Sequence, residues 1–395
     1  MKAFMFPGQG SQARGMGGTL FDEFAELTER ADKVLGYSIK ELCLEDPRRE
    51  LSKTQFTQPA LYVVNALTYF KKLGESGQKP DYLAGHSLGE INALLAAECF
   101  DFEVGLKLVQ KRGELMSQVS NGAMAAILNG TKEEIETILK DNGLTNIDLA
   151  NYNTPSQIVI SGLIDEIGKA QQFFQSGKML YYPLNTSGAF HSRFMRSARD
   201  KFQTYLKRFK FSDPKIPVIS NVTARPYESG GIVENLSNQI ASTVRWSESI
   251  QYLMEVAAGG EPMQFEEIGH GEVLTKIVHT IKQQTADLAK AASLQEIRQP
   301  AAKAEARPAT DAAQEPEARE AAAATNKPAA GKLPAVDKVA AWNGTYAVGT
   351  KVRSLSMDYE NLETRTAAMV LFGHRAAVYM KGYNGYFDLD EIAAL

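Results

Sequence analysis

The stretch Gly85-His86-Ser87-Leu88-Gly89 constrains this chain more than any other. It fits the pattern G-x-S-x-G, in which a strand bends sharply into a helix and presents a serine at the bend. The flanks agree, because Asp81-Tyr82-Leu83-Ala84 reads as the strand and Glu90 to Cys99 is a run of helix formers. Glycine two positions to either side of Ser87 lets the two backbones crowd together, which a Cβ would prevent. The helix N-terminus beside Ser87 favours negative charge developing there. The five-residue pattern alone arises often by chance. With strand and helix on the correct sides, it marks Ser87 as a candidate nucleophile in an α/β framework.

A nucleophilic serine needs a base, and the chain offers five histidines: His86, His191, His270, His279 and His374. His86 adjoins Ser87 on a strand-turn, so its side chain should point away from the nucleophile. His191 follows Ser187-Gly188-Ala189-Phe190, just past a candidate strand, where the chain can return to the mouth of the main sheet. His270 falls in a Gly-flanked loop and His279 on a late helix. The residues alone favour His191 modestly, and any of these can be a satisfied structural histidine. Gly8-Gln9-Gly10-Ser11-Gln12-Ala13 also fits a dinucleotide-type G-x-G-x-x-A. No strand ending in an acid follows about 20 residues later, which weighs against that reading.

Residues 1–284 alternate strand and helix patterns, as in an α/β domain. Within them, about 122–190 reads β-α-β-β-α-β, which suggests a ferredoxin-like insert. Residues 299–336 then hold 15 Ala and 5 Pro in 38 positions, with Leu333 and Val336 the only large apolar side chains. Such a segment cannot offset its ordering entropy by burial, so 285–336 is expected to be a flexible linker with transient helicity in its Ala-rich stretches. The last 59 residues hold eight aromatics and the run Ala367-Ala368-Met369-Val370-Leu371-Phe372. That is too apolar for a disordered tail, and 337–395 reads as a small folded or partner-folded appendage.

Composition excludes several classes. A net charge of −4 lacks the basic excess of a general nucleic-acid binder. Two cysteines give no disulfide framework, and both Cys43 and Cys99 lie in apolar runs as small buried hydrophobes. The opening Met1-Lys2-Ala3-Phe4-Met5-Phe6-Pro7-Gly8 is a strand broken by Pro and Gly, unlike a signal peptide. No stretch approaches the roughly 18 apolar residues of a membrane span, so the cytoplasm is the expected location.

Six motifs carry a resemblance. Phe6-Pro7-Gly8-Gln9-Gly10-Ser11-Gln12, Gly85-His86-Ser87-Leu88-Gly89-Glu90, Asn151-Tyr152-Asn153-Thr154-Pro155 and Gly188-Ala189-Phe190-His191-Ser192 stand in order, followed by Pro217-Val218-Ile219-Ser220-Asn221 and Gly269-His270-Gly271-Glu272-Val273-Leu274-Thr275. Over residues 1 to about 283 the chain resembles the malonyl-CoA:acyl-carrier-protein transacylases. It is most similar to the free-standing acyltransferases that serve modular polyketide synthases lacking their own, such as that of the disorazole synthase. The resemblance implies an α/β-hydrolase-like large subdomain around the insert. It implies transfer of a malonyl group from malonyl-CoA, through an ester on Ser87, to the phosphopantetheine thiol of an acyl carrier protein. The setting is polyketide or fatty-acid biosynthesis. His191 would be the base, and the backbone N–H groups of Gln9 and Leu88 the oxyanion hole. In this family a backbone carbonyl orients the histidine, and Arg245 is the expected source. His270 stands where many relatives have proline. No cofactor, metal, nucleic acid or membrane is implied.

Arg112 can be read from residues first. Leu108, Val109, Leu115 and Met116 lie at helical spacing around it, so it points to the apolar side and needs an anion. An internal Asp or Glu is the ordinary partner. The resemblance instead places it against the malonyl carboxylate, which suits its planar fork. It also makes Phe190 a pocket residue with little room for a methyl branch, and Gln9 and Asn153 secondary pocket residues. Two alternatives stand beside transfer: hydrolysis of acyl groups from carriers by the same acyl-serine, and a docking role for the tail. Seven cations between Arg193 and Lys210, against the single acid Asp200, are either a solvated helix face or a surface that steers an acidic carrier.

Overall fold

The computed structural model describes residues 1–175, 177–186, 188–304, 335–354, 362–371, 375–381, 386–389 and 392–394. The chain forms two units, Met1–Glu305 and Ala306–Leu395. Ser187, Phe372, His374 and most of the expected linker, 305–334, lie outside the described residues.

The first unit opens with β1 (Lys2–Phe6), buried from Ala3 to Phe6 as an interior parallel strand must be. Short helices α1 (Leu20–Glu23), α2 (Ala25–Leu35) and α3 (Ile39–Leu44) lead to the long α4 (Thr54–Ser76). Next, β2 (Tyr82–Gly85) turns through Ser87 into α5 (Gly89–Ala96), every residue of which is buried. The helix stops at Ala96, so Cys99 lies buried in the segment beyond it and not within it. Then α6 (Phe102–Ser117) begins on Asp101, whose carboxylate accepts the Val104 N–H at 2.8 Å.

The segment that follows runs β3 (Gly122–Leu128), α7 (Lys132–Asp141), β4 (Asp148–Thr154), β5 (Gln157–Leu163), α8 (Ile164–Phe174) and β6 (Leu180–Pro183). Its four strands pair antiparallel in the order β4-β5-β3-β6. Both helices cover one face, where Ile127, Ile135, Ile160, Ile167 and Phe174 form a separate core. A Thr131–Glu134 capping box starts α7.

The chain returns through α9 (Arg196–Leu206), β7 (Val218–Ile219), α10 (Ile232–Gln239), α11 (Trp246–Val256) and β8 (Gln264–Glu267) to α12 (Val273–Ala304). The main sheet has the order β7-β2-β1-β8, with every pair parallel. The edge strand β4 is tied to this body: Tyr152 N–H donates to Val244 O at 2.9 Å and Val244 N–H to Ala150 O at 2.8 Å. The helix α12 continues through the first twenty residues of the expected linker, because Ala, Gln, Lys and Leu there are good helix formers and no proline intervenes before Pro300. No described helix is long and apolar enough to cross a membrane.

Among its described residues the second unit contains α13 (Ala335–Thr345) and six short strands: β9 (Lys351–Ser354), β10 (Leu362–Glu363), β11 (Met369–Leu371), β12 (Arg375–Tyr379), β13 (Tyr386–Asp388) and β14 (Ile392–Ala394). They form two antiparallel sheets, β10-β9-β14 and β11-β12-β13. Val352, Leu362, Val378, Met380 and Ile392 make a small core, with Trp342 and Phe387 against it.

Candidate active site

Three backbones meet at Ser87. A Cβ on Gly85 would lie 2.0 Å from the carbonyl carbon of Gly89, and one on Gly89 would lie 2.0 Å from Phe6 O. One on Gly8 would lie 2.3 Å from His86 O, so the β1 loop is pressed against the same turn. Ser87 itself is left-handed, at φ +51°. That conformation is costly for a side-chain-bearing residue and is held by its surroundings. Those include Asn221, whose Oδ1 accepts the Ser87 N–H at 2.7 Å while its Nδ2 donates to Gly85 O at 2.7 Å. Among the described residues, neither the Gln9 nor the Leu88 backbone N–H takes an internal hydrogen bond. The Gln9 side chain donates to Thr54 Oγ1 at 3.3 Å.

His191 Nε2 lies 2.8 Å from Ser87 Oγ. Its Nδ1 lies 2.8 Å from the backbone oxygen of Gln239. A carbonyl can only accept, so Nδ1 carries the proton and Nε2 offers its lone pair to the serine hydroxyl. Burial, and then the nearby Arg112 cation, push the His191 pKa down to about 3, so the ring is neutral. The carbonyl comes from Gln239 and not from Arg245. Gln239 ends α10, where the last carbonyls have no partner within the helix. The Arg245 carbonyl is taken by Ser249 N–H and Oγ, and its guanidinium pairs with Glu248.

Arg112 reaches the same serine from α6, with only 1% of its surface exposed. Its Nη2 donates to Ser87 Oγ at 3.0 Å and to Gln239 Oε1 at 2.8 Å, and its Nη1 to Gln58 Oε1 at 2.7 Å. All three acceptors are neutral, and among the described residues Nε has no partner. Burial lowers the Arg112 pKa to about 10, opposed by the charge of Glu90. The ordinary partner for a buried arginine, a directly paired carboxylate, is replaced here by two amides and the nucleophile.

The other expected residues are less central. Phe190 is buried immediately before His191. Asn153 Oδ1 lies 2.9 Å from His86 Nε2, and the His86 ring stands edge-on to Trp246, turned from the serine hydroxyl. Four contributors were given no role by the reading of the sequence, although Glu90 and Asn221 stand in two of its six motifs: Gln58, Glu90, Asn221 and Gln239. Glu90 was visible as a charged residue in a run of apolar helix positions, which is a signal of enforced pairing. The two amides and Asn221 gave no such signal. Beside His191 a cavity of about 650 Å³ opens toward the insert, lined by Lys140, Tyr152, Arg193 and Arg196 among others.

A half-buried serine on a strand–helix turn, bonded to a buried imidazole and with an arginine aimed at the same oxygen, is the apparatus of an acyl-transfer enzyme. The chain belongs to the acyl transferase domain family, whose model matches residues 3–315. It is 56% identical over 284 residues to the polyketide biosynthesis malonyl CoA-acyl carrier protein transacylase PksC of Bacillus subtilis, covering 71% of this chain and 97% of that protein. Among solved structures, malonyl CoA-acyl carrier protein transacylase from Burkholderia pseudomallei superposes with a TM-score of 0.71 at 63% identity, over 72% of this chain and 98% of that one. A type II polyketide synthase malonyl-transacylase in complex with its acyl-carrier protein superposes at 0.67 and 34% identity, over 71% and 92% of the two chains. The family expected from the six motifs is the one found.

Proposed function

We propose that Ser87 carries a malonyl group from malonyl-CoA to the phosphopantetheine thiol of an acyl carrier protein, in polyketide biosynthesis. The observation that carries this is Arg112, a buried guanidinium 3.0 Å from Ser87 Oγ whose other acceptors are neutral amides. Such a cation suits an acyl group that brings its own carboxylate. Ser87 Oγ attacks the thioester carbon as its proton passes to His191 Nε2. The carbonyl oxygen gains charge opposite the free N–H groups of Gln9 and Leu88, each such donor being worth about 3 kcal/mol of barrier. The C–S bond then breaks, and His191 returns the proton to the departing CoA sulfur. In the second half His191 takes the proton of the carrier thiol, whose sulfur attacks the malonyl ester; the C–Oγ bond breaks, and His191 returns the proton to Ser87 Oγ. The carbonyl of Gln239 holds the imidazole through both halves.

The all-parallel sheet with its serine turn supports an α/β-hydrolase-like reading of the body. The strand order β4-β5-β3-β6 supports a ferredoxin-like reading of the insert. Intact-protein mass spectrometry tests the reaction. Malonyl-CoA should add one malonyl group to the enzyme, and holo-carrier protein should remove it onto itself. Release as free malonate with an unloaded carrier would refute transfer in favour of hydrolysis.

A further inference from the structure

We propose that Glu90 is the positioning residue of this centre, and the internal counter-charge that Arg112 exchanges for the acyl carboxylate. The inference rests on the assignment of Arg112 to malonyl. Glu90 is fully buried in the first turn of α5. Its Oε2 accepts Gln239 Nε2 at 2.5 Å and the Asn221 N–H at 3.3 Å, and its Oε1 accepts the Tyr227 hydroxyl. Through Gln239 and Asn221 it touches every reacting group at one remove. Gln239 gives its carbonyl to His191, its Oε1 to Arg112 and an N–H to Ser87 O at 2.8 Å. Asn221 gives its Oδ1 to the Ser87 N–H. A carboxylate only accepts, so it fixes the Gln239 amide with nitrogen toward Glu90 and oxygen toward Arg112. Turned over, that amide would face the guanidinium with its own donors.

The charges complete the argument. Arg112 and Glu90 bury one positive and one negative group with a single amide between them. A malonyl carboxylate on Arg112 adds a second anion to this balanced pair, and Glu90 relieves the excess by taking a proton from solvent. Burial already pushes the Glu90 pKa up to about 7. The titratable groups that act on Glu90 are Tyr227, held well above its usual value, and Arg112, at about 10. Cys99 stands behind Tyr227 at about 12, and His191 beyond Arg112 at about 3, with His86 lowered by burial. From α4, Tyr62 is held well above its usual value and Tyr69 at about 12. Tyr227, Arg112, Cys99, Tyr62, Tyr69 and His191 are held away from neutrality and burial turns His86 down, whereas Glu90 is the one of this group that burial raises to about 7.

Ionised Glu90 shields Arg112, and neutral Glu90 leaves it a bare cation. The ratio of Ser87 acylation rates with malonyl-CoA and acetyl-CoA should therefore rise as pH falls through about 7. CoA phosphates are common to both donors and cancel. A rise of about five-fold is the lower end of ordinary coupling between two sites. Glu90→Gln removes the charge and keeps an acceptor for Gln239, so its ratio should stay high and flat with pH. Tyr227→Phe withdraws a donor from the ionised carboxylate and should move the midpoint of the wild-type profile upward. A purely structural Glu90 would lower both rates together, leaving a flat wild-type ratio that Glu90→Gln and Tyr227→Phe do not change; that result overturns the proposal. Arg112→Ala, run in parallel, separates the two readings. A collapsed ratio there with a flat wild-type profile sinks only the counter-charge, whereas an unchanged ratio there sinks the carboxylate assignment beneath it.

Discussion

Arg112→Ala should cost the enzyme its preference for malonyl over acetyl. A guanidinium–carboxylate contact supplies charge-assisted hydrogen bonds worth about 1.5–3 kcal/mol each. Two of them at the low end, about 3 kcal/mol, correspond to roughly a hundred-fold at 1.36 kcal/mol per decade. Acetyl makes neither bond, and in the wild-type pocket it lies against a cation that it cannot pair. Its rate should hold or improve in the variant. The substitution also carries a structural cost. Gln58 Oε1 and Gln239 Oε1 lose the donors now 2.7 and 2.8 Å away, and each orphaned acceptor costs about 1–3 kcal/mol of stability. Loss of total activity would thus prove little, and the assay must read a ratio. Enzyme is mixed with equimolar malonyl-CoA and acetyl-CoA, and the two acyl-enzyme masses are compared in the first turnover. Arg112→Lys, which keeps a charge but not the fork, should fall between. An unchanged ratio in both variants would show that Arg112 only braces Gln58 and Gln239, and the reasoning from its neutral cage would be wrong.

Three further outcomes are expected. Ser87→Ala should form no acyl-enzyme, and a malonyl label found on another residue by peptide mapping would remove Ser87 from its role. Gly89→Ala should lower thermal stability and acylation together, because its Cβ would sit 2.0 Å from Phe6 O and overpacking of this kind costs about 1–3 kcal/mol; a wild-type melting temperature would contradict the close approach. Replacing the exposed Arg196, Lys201 and Lys207 with glutamine should raise KM for carrier protein while sparing malonyl-CoA, and the defect should fade with salt. Arg193 is left out because it is committed to Asp148 by a forked pair. Carrier kinetics insensitive to both charge and salt would place the docking surface elsewhere.

What could be read from the sequence was local or periodic. The serine turn announces itself because its motif is contiguous: a Cβ on Gly85 would lie 2.0 Å from Gly89 C, four residues on, and the strand and helix adjoin it, whereas the Phe6 oxygen that requires Gly89 is distant in the chain. The helical spacing around Arg112 correctly placed its side chain inward, since Leu108, Val109, Leu115 and Met116 share its buried face. The limit of α12 was not legible in the same way. Alanine-rich sequence is low in apolar area and high in helix propensity at once, and composition does not decide which property governs until the helix has something to extend from. Here it extends from a first stretch whose Leu274, Val278 and Ile281 lie in the core beside Phe265 of β8, so propensity carries the helix to Ala304.

The inner arrangement of the site escaped for a different reason. Gln239 lies 48 residues from His191, 127 from Arg112 and 149 from Glu90, and it bonds all three. Nothing in residues 232–239 distinguishes its last carbonyl from that of any other helix end. The Arg245 expectation failed there: it placed the carbonyl six residues late, past the end of α10, on a residue whose carbonyl a new helix already uses. A polar network of this kind is specified by mutual satisfaction of donors and acceptors, not by any periodic pattern. Each member is explicable only once the others are placed. The carboxylate sets the amide, the amide sets the guanidinium and offers the carbonyl, and the carbonyl sets the tautomer of the base. The one visible clue was the cost that such a network implies, a glutamate at a fully buried helix position, because a carboxylate so placed must be surrounded by donors.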